Sequence, residues 1–138
     1  MNLGIVEQGK LYLKFFDYQI PDIYQFQNLR LTHSDILRIF RNIDTDIFSK
    51  DKCTYYKSHR RSTCFFKKEL LHKLPFRRIL YINYKDIDID GYLIKNTCNN
   101  RGCLNVCHLY KLKKTYENFK SKNEVISYSS DSYSETHI

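Results

Sequence analysis

Three residues able to bind a soft or borderline metal ion crowd into one short run, Asn96-Thr-Cys-Asn-Asn-Arg-Gly-Cys-Leu-Asn-Val-Cys-His108-Leu109. Cys98, Cys103 and His108 together read as most of a tetrahedral zinc site, because thiolates and a neutral imidazole are the donors zinc prefers. Between the two cysteines, Asn99-Asn-Arg-Gly102 supplies residues that close a small loop. A fourth donor has to come from elsewhere, and Cys53 and Cys64 both stand upstream. The competing reading makes the cysteines small core residues and His108 a surface or capping group.

The rest of the composition fits a metal-stapled domain. The chain has 138 residues, enough for one domain with a tail. Its 42% apolar fraction includes twelve Tyr and nine Phe, so it can bury a modest core that a metal would reinforce. Five cysteines is an odd number. The first eight residues lack the basic and apolar regions of a secretory signal. The expectation is therefore an intracellular, reducing compartment, cytoplasmic, nuclear or virus-associated, with metal binding rather than disulfides. No run approaches the roughly 18 apolar residues of a membrane span. The net charge of +8 favours an anionic partner, and nucleic acid is the commonest. The abundance of Ile, Lys, Asn and Tyr fits an AT-rich genome such as some large viruses have.

The elements that must position these groups are read from periodicity. Leu11–Phe16 suits a strand, which Pro21 follows. Thr32 or Ser34 can cap a helix starting near Asp35, with Ile36, Leu37, Phe40, Ile43 and Ile47 on its inner face. Residues 49–62 are polar and basic, read as a turn, a short strand and a loop. Phe65–Leu74 could form a short helix that Pro75 stops. Phe76–Tyr84 reads as a strand by residue type, and Gly91 allows a turn before Tyr92-Leu-Ile94. From Leu109 to about Lys120 the spacing of Leu109, Leu112, Tyr116 and Phe119 suits a helix. The serine-rich end, 121–138, reads as a disordered tail. The division expected is thus an N-terminal extension (1–34), a zinc domain (35–120) and the tail.

The metal run resembles the HNH-type (His-Me finger, ββα-metal) endonucleases, in the branch with the His-Cys box homing endonucleases. That branch carries a pattern of the form His-x-Cys-x4-Cys-x-Asn-Pro-x-His-Leu. This chain reads Asn96-x-Cys98-x4-Cys103-x-Asn105-Val106-x-His108-Leu109. Looser likenesses extend from Arg38-Ile-Phe40 through Cys53-Thr-Tyr-Tyr56 and the Arg78/Tyr81 pair to Thr115-Tyr-Glu-Asn118, so the resemblance covers about residues 38–120. It implies an α+β fold, a small zinc-stapled ββα-metal domain with an N-terminal and a C-terminal helix. It implies a structural zinc held by Cys53, Cys98, Cys103 and His108, with Cys53 favoured over Cys64 by the aromatic residues that follow it. It further implies that Arg78 faces the scissile phosphate and that Asn118 binds a catalytic Mg²⁺. Members of the branch can dimerise, so a homodimer is an expectation too.

Asn96 takes the position of the family's general base. A neutral imidazole removes a proton from the attacking water near pH 7, whereas an amide has no useful basicity. A missing general base costs about 10² to 10⁴ in rate. His59, His72 or Asp90 could substitute only if the fold brought them to the site. The first reading is therefore a zinc-stabilised protein that binds double-stranded DNA and cleaves it feebly or not at all. Lys57, Arg60, Arg61, Arg77 and Arg78 would make mostly phosphate contacts. The alternatives are an active Mg²⁺-dependent endonuclease and a zinc-stapled protein-interaction module.

Overall fold

The computed structural model describes residues 4–57 and 64–115, so the expected tail at 121–138, Asn118, His59, Arg60 and Arg61 lie outside the described residues. The element order is α1 (Ile5–Asp17), a 3₁₀ turn (Pro21–Gln25), α2 (His33–Asn42), β1 (Cys64–Lys67), β2 (His72–Pro75), α3 (Phe76–Tyr84), β3 (Tyr92–Asn96), a 3₁₀ turn (Val106–His108) and β4 (Leu109–Lys113). The fold is α+β, with three helices and two small antiparallel hairpins, β1–β2 and β3–β4, among the described residues.

The α2 helix starts where its sequence predicts but ends at Asn42, so Ile43 and Ile47, expected on its inner face, lie beyond it. Thr32 accepts from the Asp35 backbone N–H, and the Asp35 carboxylate accepts from the Thr32 N–H, a reciprocal capping box. Ile36 and Ile39, one turn apart, are fully buried, and Ile43 and Ile47 carry the apolar surface onward beyond the helix.

Four expectations are corrected. Leu11–Phe16 belongs to helix α1, not a strand. Leu11 and Phe15, four residues apart, are buried, while Tyr12 and Phe16 pack beside them. A run apolar on consecutive positions hides that period. Phe76–Tyr84 is likewise a helix, α3, in which all residues but Arg77 are buried. A helix buried on all sides reads as a continuous β-prone run, and packing overrides residue preference. Phe65–Leu74 is not helical but forms the β1–β2 hairpin, with Phe65 opposite Leu74 and Lys67 opposite His72. Its turn places Leu71 at φ 51°, a left-handed conformation uncommon outside Gly, Asn and Asp. Finally, Leu109–Lys113 is strand β4, paired with β3 from Tyr92↔Lys113 to Asn96↔Leu109. The C-terminal helix expected from Leu109 is therefore displaced by a strand over its first five residues, and residues 116–120 are outside those described.

A single core cluster runs across the expected boundary at residue 34. Leu11, Phe15, Ile23 and Leu31 share it with Ile36, Ile39, Ile79, Leu80, Leu104 and Leu109. Asn83, near the end of α3, knits the N-terminal segment to this core. Its amide nitrogen donates to the Leu29 carbonyl at 3.0 Å, and its oxygen accepts from the Leu31 N–H at 2.8 Å. Such full use of a buried amide avoids the cost of an unpaired polar group.

Candidate metal centre

The β3–β4 hairpin carries the site in the loop that connects its strands. β3 ends at Asn96, the chain loops through Cys98 and Cys103, and a 3₁₀ turn delivers His108 just before β4 begins. Asn105 shapes that turn. Its side-chain oxygen accepts from the Cys107 N–H at 2.7 Å, and its amide donates to the carbonyls of Ser49 and Lys52, both at 2.6 Å. Those two bonds draw the 44–57 segment against the hairpin. The Leu104 N–H to the Thr54 carbonyl (2.7 Å) and the Val106 N–H to the Ile47 carbonyl (2.9 Å) complete the join. Cys53 arrives on that segment.

The result brings together Cys53, Cys98, Cys103 and His108, whose donor atoms all lie within 4.8 Å of one another. This group could hold a metal ion. His108 Nδ1 is 3.5 Å from Cys103 Sγ and 3.8 Å from Cys53 Sγ. A tetrahedral ion with Zn–S and Zn–N bonds of ordinary length would set sulfur and nitrogen about 3.6 Å apart, so the spacing suits that chemistry. The other ring nitrogen, Nε2, lies 3.3 Å from the Lys50 carbonyl. A carbonyl can only accept, so Nε2 carries the proton and the Nδ1 lone pair faces the sulfurs. Fixing the tautomer from behind is how metal-binding histidines are oriented.

The sulfurs are supplied with donors. Asn96 Nδ2 donates to Cys98 Sγ at 3.0 Å and to the Asn100 carbonyl at 2.9 Å. Asn100 Nδ2 donates to Cys53 Sγ at 2.9 Å. Burial alone would raise the Cys98 pKa, but the Asn100 backbone N–H, the neighbouring thiols and the Asn96 amide outweigh it and bring it down to about 7. Burial dominates at Cys103, and with the adjoining sulfurs it pushes that thiol up to about 12 despite bonds from the Asn105 and Thr54 N–H groups. Two thiols a few ångströms apart thus differ sharply in acidity, as expected where charges crowd together without a cation.

The fold distributes the remaining sequence-derived residues unevenly. Cys64 is exposed on β1, and the cluster forms with Cys53. Cys107, beside His108, turns away and donates to the Phe48 carbonyl at 3.3 Å. Arg77 spans the metal loop, donating to the carbonyls of Cys103 (3.1 Å) and Asn100 (3.2 Å). Arg78 is buried, 3% exposed, and its guanidinium donates to the carbonyls of Tyr92 (3.0 Å) and Ile89 (3.3 Å). It braces β3 from inside. Lys57, His72 and Asp90 are exposed. Sequence reasoning missed Asn100 and Asn105 as supporting groups. Asn105 stood in the pattern of the resemblance without a role, and for Asn100 the signal was the density of Asn in the loop.

No protein-family model matches the chain, and no solved structure matches it. Among curated proteins the chain is similar to "Uncharacterized protein R328" of Acanthamoeba polyphaga mimivirus, at 26% identity over 127 residues, covering 84% of this chain and 36% of that protein. The chain therefore spans about a third of the length of the viral relative it matches. Among the described residues no helix is long and apolar enough to cross a membrane.

Proposed function

We propose that this is a zinc-stabilised nucleic-acid-binding domain, related in design to the HNH endonucleases and working as a DNA binder rather than an efficient nuclease. Three thiol sulfurs and one imidazole favour zinc over harder ions. The observation that carries the reading is the role of Asn96. It closes β3, where the resemblance puts the general base, yet its amide is spent on Cys98 Sγ and the Asn100 carbonyl. A residue serving the metal loop in this way takes no proton from water. Arg78 is also enclosed, so the catalytic set that the resemblance implies is depleted twice. The basic charge remains, and Lys57, Arg60 and Arg61 are the residues assigned to duplex phosphates.

The test is a plasmid-nicking assay with zinc-loaded protein and Mg²⁺ or Mn²⁺, run beside a gel shift on the same DNA. The expected result is a shift without cleavage, weakened by Lys57→Glu with Arg60→Glu and Arg61→Glu. Efficient nicking would instead establish the endonuclease reading, with Mg²⁺ as cofactor and Asn118 as its ligand. Absence of both would favour a protein-interaction module. A feature of α1 suits that last reading, since Ile5, Val6 and Leu13 are exposed.

A further inference from the structure

Beside the metal centre lies a second feature, an open cleft of about 660 Å³. Tyr18, Phe48 and Tyr84 line it together with Lys50, Lys85 and Cys107. The rings are held edge to face, Tyr18 to Phe48 with centroids 4.9 Å apart and Phe48 to Tyr84 at 5.1 Å. Tyr84 donates its hydroxyl to the Phe15 carbonyl at 2.8 Å and is 8% exposed, so it backs the cleft while Tyr18 is the ring open to solvent. Lys85 donates to the Leu109 carbonyl at 2.7 Å, with its ammonium 5.8 Å from the Tyr81 ring centroid. Lys50 is exposed, and its backbone carbonyl is the group that faces His108 Nε2. Cys107 adjoins the same histidine and is tied to the Phe48 carbonyl. The edge of the cleft is thus set by the metal centre. Among the described residues no carboxylate lines it.

We propose that this cleft takes one nucleotide of a single-stranded nucleic acid, its base against the Tyr18–Phe48–Tyr84 rings and its phosphate between Lys50 and Lys85. The volume falls within the range of about 300–1,000 Å³ usual for small-ligand sites. Aromatic rings bordered by ammonium groups match the two halves of a nucleotide, and stacking on such rings accepts any base. An apolar ligand would leave the ammonium groups unused, and inorganic phosphate would leave the rings uncovered. The inference rests on the nucleic-acid reading above and adds to it a site for an unpaired base.

The experiment compares a fluorescein-labelled dT 12-mer, an abasic strand of the same length and a duplex, each titrated by anisotropy with the zinc-loaded chain. The dT strand should bind about tenfold tighter than the abasic one, which has the same phosphates but nothing to stack. Tyr18→Ala should shrink that difference, and Lys50→Glu should weaken both single strands alike, while duplex binding holds. Both side chains are exposed, and an unchanged zinc content confirms the fold of each variant. Equal binding of dT and abasic strands overturns the proposal, as does a preference that survives Tyr18→Ala. Duplex binding with no base preference overturns the cleft alone. A base preference without duplex binding upholds the cleft and removes the duplex reading.

Discussion

The chemistry of the metal centre is governed by which sulfur can shed its proton. Zinc needs thiolates, so binding must displace protons from any thiol still carrying one. Cys103, pushed up to about 12, is fully protonated at neutral pH in the metal-free site, whereas Cys98, at about 7, is partly ionised. Zinc binding at pH 8 should therefore release at least one proton, and the number should rise as pH falls through 7 and Cys98 also becomes protonated. Affinity falls in the same direction. Calorimetry in two buffers of different ionisation enthalpy measures this count, and a buffer-independent heat would contradict the assignment. The amides that donate to sulfur should matter as well. Asn100→Ala removes the 2.9 Å bond to Cys53 Sγ from an exposed position and should weaken zinc by about tenfold in chelator competition. Unchanged affinity would make that bond incidental.

At the scale of elements, the joint between α2 and the β1–β2 hairpin is held by charge inside the fold. Lys67 and Asp35 are both 0% exposed and 2.8 Å apart. Lys67 also pairs with Glu69. Arg38 extends the joint, donating to Asp35 at 3.2 Å and to the Phe66 carbonyl at 2.6 Å, with its guanidinium 4.2 Å from the Phe65 ring centroid. Breaking a buried pair from one side strands a charge, so Lys67→Met should destabilise the protein by about 3 kcal/mol. Adding Asp35→Asn should recover part of that loss, since the stranded carboxylate disappears. Denaturant melts of the two single variants and the double variant measure the coupling, and strict additivity would show that the pair is not interacting. The same carboxylate sets an acid limit. Burial would raise the Asp35 pKa, but Lys67, the Thr32 N–H and the Thr32 hydroxyl together lower it below 3.8. Its folded pKa lies under its unfolded value, so the stabilisation is complete above about pH 4 and is lost as pH falls through the folded pKa. Loss of acid sensitivity in Asp35→Asn checks the sign.

For the whole molecule, a bound metal would add a second tie between parts that also share the hydrophobic core. Ile47, Leu104 and Val106 bring the 44–57 segment and the 97–108 loop into the core cluster, and Cys53 meets Cys98, Cys103 and His108 at its edge. Chelation should therefore lower the melting temperature by loosening the 44–57 segment and the metal loop first. Hydrogen exchange should speed up at the Leu104 and Val106 amides, which bond across that junction, before it does so in α2 or α3. A melting curve and exchange pattern indifferent to chelator would remove the metal from the account of stability.

What the sequence determined by itself was the set of groups whose local spacing already implies their job. Cys98, Cys103 and His108 sit close enough along the chain that one loop must gather them, and Thr32 with Asp35 spells a helix start in four residues. The α+β class was implied by the resemblance and is what the structure shows, although several elements were assigned the wrong way round. Period carries information only where a face is left polar. In α3 and in the Leu11–Phe16 stretch of α1 the apolar residues are interrupted only by Lys14 and by Arg77, Arg78 and Asn83, at spacings that favour neither period, so packing against the rest of the core decides between helix and strand. The β1–β2 hairpin and β4 depended on pairing partners that a linear pattern does not reveal. Tertiary structure also chose Cys53 over Cys64, turned Arg78 inward and set the Asn96 amide against a sulfur. Each of those outcomes depends on which segments approach through space, and the choice of the fourth donor in particular is made by the bonds of Asn105, Leu104 and Val106 to the 44–57 segment. A contact between residues some fifty positions apart, as Cys53 and His108 are, leaves no periodic trace in the chain.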